Sequence, residues 1–304
     1  MNPKHSLTSI GIALVISAPL FAADISLTAD DGFGASSFNS AGNWSDSLAP
    51  ALGNDYFTGD FRVRTPADGG SYTFGGDSLT VNNTGDPLFG LSYKGTGDTG
   101  TITVANLILD GGSINHINGG GDIFNLAGAI SVVSDSVIYA KQGPINVLAD
   151  LSGSATITNP GSDDAGRTLT LQSSSNTFNG SIVNSGRFAL ADGANLNFVI
   201  GASGVNNSVT GVGPETVFNG LFNFDLSGAS AALGDSWMIA GADNQSFGDS
   251  FAVAGFTANG DVWSNGAYRF SESTGVLSVV PEPASALMGI VAGLGLVTVR
   301  RKRS

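Results

Sequence analysis

Short β-favouring runs cut by glycine turns, recurring roughly every 20 residues, limit the folds open to this chain more than any other feature. Thr101-Ile102-Thr103-Val104, Leu107-Ile108-Leu109, Ile130-Ser131-Val132, Val137-Ile138-Tyr139 and Ile145-Asn146-Val147-Leu148 each alternate or cluster β-formers. So do Ala155-Thr156-Ile157-Thr158, Thr168-Leu169-Thr170-Leu171, Ser181-Ile182-Val183 and Phe188-Ala189-Leu190. Between them lie Asp110-Gly111-Gly112, Gly119-Gly120-Gly121-Asp122, Asn159-Pro160-Gly161 and Asn184-Ser185-Gly186, read as turns with positive φ or fixed geometry. No stretch between Ala23 and Ala284 carries a helical period. Each strand-turn unit is too small to bury a face alone, so neighbouring units must stack and share a core. The expected fold is all-β, a parallel β-helix with β caps; a β-sandwich is the alternative.

The stretch Asn176-Thr177-Phe178-Asn179-Gly180-Ser181-Ile182-Val183-Asn184-Ser185-Gly186-Arg187-Phe188-Ala189-Leu190 resembles the autotransporter-associated strand repeat. That unit is an Asn-Thr-aromatic-x-Gly turn, a strand, a Ser-Gly turn and another strand. More widely, Leu107 to Leu190 is similar to β-helical passenger regions. The flanks differ in texture. Residues 23–100 carry ten spaced aromatics, from Phe33 to Tyr93, and are read as an N-terminal β cap, with a sugar-stacking surface as the sharper alternative. Residues 101–193 form the repeat region, and 194–279, with Phe218, Trp237, Phe251 and Phe270, a C-terminal all-β cap.

Both ends carry targeting patterns. Lys4 and His5 precede an apolar stretch, and Ser17 to Ala22 closes in small residues, so residues 1–22 read as a signal peptide cut after Ala22 by signal peptidase on the general secretion route. At 280–304, Pro281-Glu282-Pro283 fixes an extended arrival. A sixteen-residue uncharged run from Ala284 to Val299 follows, then Arg300, Arg301, Lys302 and Arg303. As a helix that run would span about 24 Å, a short crossing of the hydrocarbon layer. The cations would stop it and stay cytoplasmic.

Motif, helix and basic end together resemble the PEP-CTERM sorting signal of Gram-negative bacteria. The resemblance implies that an exosortase, a membrane-embedded cysteine transpeptidase-like enzyme, reads Pro281, Glu282 and Pro283 and passes the exported protein onward. It also suggests an association with exopolysaccharide, and by itself implies nothing about an activity for the cargo. The expected course is export, tethering in the inner membrane during sorting, and then the cell surface or extracellular matrix.

All 25 acidic residues lie between Asp24 and Glu282 against seven Lys or Arg, giving the exported part a charge of −18. Such a surface repels nucleic acid and anionic headgroups and suits cations. The absence of cysteine removes disulfides as a source of stability. Catalysis finds few residue sets. His116 is the one histidine outside the signal peptide, on a coil strand between Ile114 and Ile117. Asp163, Asp164 and Arg167 form the one compact trio suited to glycan cleavage, in a segment that reads more plainly as a solvated loop. No cofactor is expected. Calcium is the one ion the composition suits: Gly119-Gly120-Gly121-Asp122-Ile123-Phe124 is similar to a single copy of a calcium-binding nonapeptide whose sites need tandem copies, and Asp30 with Asp31 reads equally as a surface turn. The sequence therefore favours a non-enzymatic structural or adhesive envelope protein over a polysaccharide lyase or glycosidase on the same scaffold.

Overall fold

A computed structural model describes residues 22–117, 120, 122–161, 164 and 166–281. These residues form a parallel β-solenoid of about seven turns. One coil shows the plan. Thr101–Asp110 runs along two faces, with exposed Ala105 and Asn106 at the bend, and Ser113–His116 makes the third face. The next coil repeats it with Phe124–Ser134 and Ser136–Tyr139. The one after uses Ile145–Val147, Asp150–Gly153 and Ile157–Asn159.

Every solenoid pairing is parallel and joins successive coils, which excludes the β-sandwich. The step varies from 19 residues, where Leu169 faces Phe188, to 31, where Ile25 faces Tyr56. The strands stay short and in register while the corners absorb the difference.

The core follows from period-two alternation carried over parallel registers. Ile102, Leu126, Val147, Leu171, Leu190 and Phe218 are successive register partners on one face, and all are buried. A one-residue slip in any coil would turn its apolar set outward. Their strand neighbours Thr101, Asn125, Asn146 and Thr170 form a matching row on the outer side, half-buried and polar.

Glycines occur for two different reasons. Gly128, at the bend of its strand, has φ +107°, and a Cβ there would lie 1.9 Å from the Val104 carbonyl of the coil before. Gly161 and Gly186, read from the sequence as positive-φ turn residues, are not in the left-handed region. Close stacking requires them instead, since a Cβ on Gly161 would meet the Ser185 carbonyl at 2.7 Å.

The expected caps shift. The aromatic-rich 23–100 segment already contributes coils, because Asn54–Phe57 pairs with Ser78–Val81 and that strand with Thr101–Asp110, while Arg62–Arg64 pairs with Gly90–Tyr93. Closure of this end falls to the loop after Ala23–Ser26. There Trp44 packs 4.8 Å from Tyr56 and Tyr56 5.2 Å from Phe74, with Phe38 beside them. At the other end the coils run on to Ala252–Val253. A five-stranded antiparallel sheet, from Ser236–Met238 to Val276–Val279, then covers the last coil. Phe222, Phe247, Phe251 and Phe270 fill the seam, Phe247 and Phe251 at 4.7 Å and Phe222 and Phe251 at 4.9 Å. The aromatics are end-fillers: a coil with no neighbour beyond it needs bulk to exclude water.

Candidate functional site

The two expected processing points flank the paired strands. Ala22 is exposed, and Ala23 opens the first strand, its nitrogen donating to the Gly53 carbonyl at 3.3 Å. Pro281 is exposed just past Val280, whose N–H donates to Ala267 O at 2.8 Å. Glu282, Pro283, Arg300, Arg301, Lys302, Arg303 and both expected terminal helices lie outside the described residues.

The catalytic candidates are placed apart, His116 in the interior and Asp164 with Arg167 on the surface. His116 is buried inside the solenoid, its ring 5.0 Å from Tyr93, with Nε2 against the Asp122 carbonyl. Burial holds its pKa below the ordinary histidine value, only partly offset by Asp122. Tyr93 stacks flat on Phe124 at 4.6 Å, and burial pushes its hydroxyl up to about 12. Asp164 and Arg167 form an ion pair at 3.2 Å with both side chains substantially exposed. Asp163 lies outside the described residues.

The calcium candidates are engaged by protein donors. Asp31, read as part of a surface turn, is buried, because the polypeptide wraps around its carboxylate. That carboxylate accepts the N–H and hydroxyl of Ser37, Asn43 Nδ2 and Arg64 N. A carboxylate ringed by N–H and O–H donors presents a positive shell, the opposite of what a cation needs. Asp30 accepts Arg62 N. Asp122 Oδ1 accepts Gly97 N across coils, while Gly119 and Gly121 lie outside the described residues. Among the described residues no three His, Asp or Glu side chains converge to hold a metal ion.

Two systems were missed by sequence reasoning. The first is a row of buried asparagines at the end of the third face. Asn184 is fully buried. Its Oδ1 accepts Asn159 Nδ2 at 2.8 Å and Gly186 N at 3.1 Å, and its Nδ2 donates to Thr216 Oγ1 at 2.9 Å and Glu215 O at 3.2 Å. One side chain thus ties three coils. The signal was present as Ile157-Thr158-Asn159 and Ile182-Val183-Asn184, with Asn two positions after a buried Ile and therefore on the same inward side. The second system is a set of carboxylates bonded to hydroxyls one coil later: Asp55 to Ser78, Asp110 to Ser134 and Asp150 to Ser173. Asp60 likewise accepts Thr84 N and Oγ1, which holds its pKa below the usual carboxylate range.

The segment similar to the strand repeat forms most of one coil. Phe178 is buried with its N–H on Leu151 O, Ile182–Asn184 lies on the third face, and Arg187–Leu190 begins the next coil. No family model, curated protein or solved structure compared with this chain matches it.

Proposed function

We propose that this is an exported, non-enzymatic protein of the cell envelope or extracellular matrix, sorted through its PEP-CTERM-like tail and adhesive towards exopolysaccharide. The observation that supports the reading is the extent of the described paired strands, which stop short of both expected processing points. Paired strands begin at Ala23 and end at Val279, so cuts after Ala22 and near Pro281 to Pro283 release every coil and the antiparallel cap intact. The adhesive part is supported by the outward row Thr101, Asn125, Asn146 and Thr170 at the ~4.8 Å strand spacing, in which the Asn125 amide is held by Asp98 O, Gly100 O and Asn146 while the Thr101 and Thr170 hydroxyls and Asn146 Oδ1 face an extended polymer. Asn146 Nδ2 already donates to Asn125 Oδ1 at 2.9 Å, fixing the amide orientation along the row.

In this reading signal peptidase and an exosortase act in turn. The helix from Ala284 to Val299 is the temporary tether, and Arg300 to Arg303 hold it on the cytoplasmic side. Mass spectrometry of the mature C terminus, in native cells and in cells lacking the sorting protease, tests the sorting half. An unchanged terminus in the two would refute it. Incubation with matrix polysaccharide followed by assay of new reducing ends tests the other half: retention without release is expected, and sustained release would show an enzyme.

A further inference from the structure

Only seven cations stand in the exported part, and three of them gather on one outer patch. Arg62 and Arg64 flank fully buried Val63, so the pleat turns both guanidinium groups outward on the third face. On the neighbouring parallel strand Arg64 lies opposite Ser92, and Lys94 follows two residues later on the same outer side, past buried Tyr93. Lys94 N donates to Thr65 Oγ1 at 2.9 Å, which fixes the Lys94 backbone against the Arg64 strand. From the preceding loop, Phe33 reaches across. It is 88% exposed, and the Lys94 ammonium sits 4.4 Å from its ring centroid. Arg62 is fixed by Nε donating to Leu88 O at 2.8 Å, with its guanidinium 5.0 Å over Phe89.

None of the three cations has a carboxylate within salt-bridge distance among the described residues; Lys141 and Arg269 share that, while Arg167 and Arg187 are paired with Asp164 and Glu215. The nearest acids are spent on backbone: Asp31 on Arg64 N and Asp30 on Arg62 N. The Nε of Arg64 is buried without a partner. Burial and the neighbouring Arg62 charge depress the Arg64 pKa, partly offset by Asp31 and Asp30, and burial and Arg64 depress that of Lys94. Three cations held this close against two carboxylates, Asp30 and Asp31, leave the patch net positive, a charge that a bound anion would relieve.

We propose that Arg62, Arg64, Lys94 and Phe33 form a binding site for carboxylated sugars of an acidic polysaccharide. This rests on the adhesive reading above and names its ligand. Guanidinium groups match a carboxylate with two parallel hydrogen bonds, and the exposed Phe33 ring offers a flat apolar surface to the C–H face of a pyranose. The remaining surface repels a polyanion, which confines contact to this patch.

The test titrates the purified full chain with polygalacturonate, with fully methyl-esterified polygalacturonate and with neutral dextran. Binding to the acid form alone is expected. Arg64→Gln and Lys94→Gln should each weaken it roughly tenfold, Phe33→Ala by a similar factor, and Lys94→Arg should keep it, all with unchanged melting temperature. Arg64→Gln that unfolds is replaced by Lys94→Gln, whose side chain lies on the surface. Equal binding of the esterified polymer overturns the proposal, as does binding indifferent to Lys94 and Phe33, or no acid-glycan binding at all. Sedimentation that shows the patch joining two copies of the chain, with glycan binding unaltered in the variants, also overturns it. In each of those outcomes matrix retention without glycan release leaves the adhesive reading standing; release of new reducing ends by the unaltered chain removes that reading instead.

Discussion

Replacing Asn184 with Leu removes the hydrogen bonds of the corner while keeping the branched outline of the side chain. Four bonds are lost: two accepted by Oδ1, from Asn159 Nδ2 and Gly186 N, and two donated by Nδ2, to Thr216 Oγ1 and Glu215 O. Asn159 keeps its other donation, to Arg187 O at 3.0 Å, so its amide nitrogen is not orphaned. At about 1 kcal/mol per buried neutral bond, with an unsatisfied group costing more, the loss comes to about 3–5 kcal/mol. That is a large share of the ~5–15 kcal/mol that holds an ordinary domain. Because each coil contacts only its neighbours, the damage should also divide the stack between Ile157–Asn159 and Glu215–Phe218, lowering the urea m-value as well as the midpoint. Asn146→Leu is the matched control: it is half-buried on the outer face and donates to Asn125 Oδ1, so it should cost under about 1 kcal/mol. Urea unfolding followed by far-ultraviolet circular dichroism measures both. Equal losses in the two variants, or a stabilised Asn184→Leu, would refute the view that the buried amide clamps the coils together.

Gly128→Ala should prevent normal coil stacking, since its Cβ would collide with backbone 1.9 Å away, whereas Gly111→Ala, with φ +80° and open space around it, should cost only about 1–2 kcal/mol; thermal melts of the two compare clash with dihedral strain alone. His116 has a folded pKa below its unfolded value near 6.5, so the unfolded chain takes up a proton first on acidification. Stability should therefore be complete above about pH 6.5 and fall as the pH drops towards the folded pKa; in His116→Asn the slope of midpoint against pH across that window should flatten. Changing Arg300, Arg301, Lys302 and Arg303 together to Gln should remove the stop on the cytoplasmic side and alter delivery, read by fractionating membrane, surface and medium; an unchanged distribution would refute the sorting role.

The solenoid was legible because parallel stacking leaves its mark in local alternation. Ile145-Asn146-Val147 and Thr168-Leu169-Thr170-Leu171 announce their inward residues without reference to the rest of the chain. The terminal coils were not, since Tyr56, Leu79 and Leu91 sit in four-residue strands with no repeated spelling, joined by corners that stretch the step to 31 residues. Of the aromatics expected to close this end, Phe33, Phe38 and Trp44 lie in the closing loop, whereas Tyr56 and Phe74 fill the coils beneath it. The patch of Arg62, Arg64 and Lys94 was hidden for a different reason. Its members are 30 residues apart in sequence and meet only because Arg62–Arg64 and Gly90–Tyr93 are register partners. Asp31 misled because an acidic pair beside a glycine has the composition of an exposed turn, whereas the donors that bury it arrive from Ser37, Asn43 and Arg64.

The acidity itself poses a problem that the stack resolves. Coils repeat at about 4.8 Å, so carboxylates in register would repel at that distance, by about 1 kcal/mol in water and several times that where solvent is excluded. Among the paired strands described, two acids meet in register only at Asp24 and Asp55, at the first step. Elsewhere the partner is a hydroxyl, a backbone N–H or a cation: Asp110 faces Ser134, Asp135 accepts Thr156 N, and Glu215 faces Arg187 with their side chains 2.6 Å apart. These carboxylates are thus satisfied by the adjacent coil while the surface stays anionic. The same logic isolates Arg62, Arg64 and Lys94. What sets these three apart is that they are gathered on one face with only Asp30 and Asp31 beside them, which leaves a net positive patch for an anionic ligand.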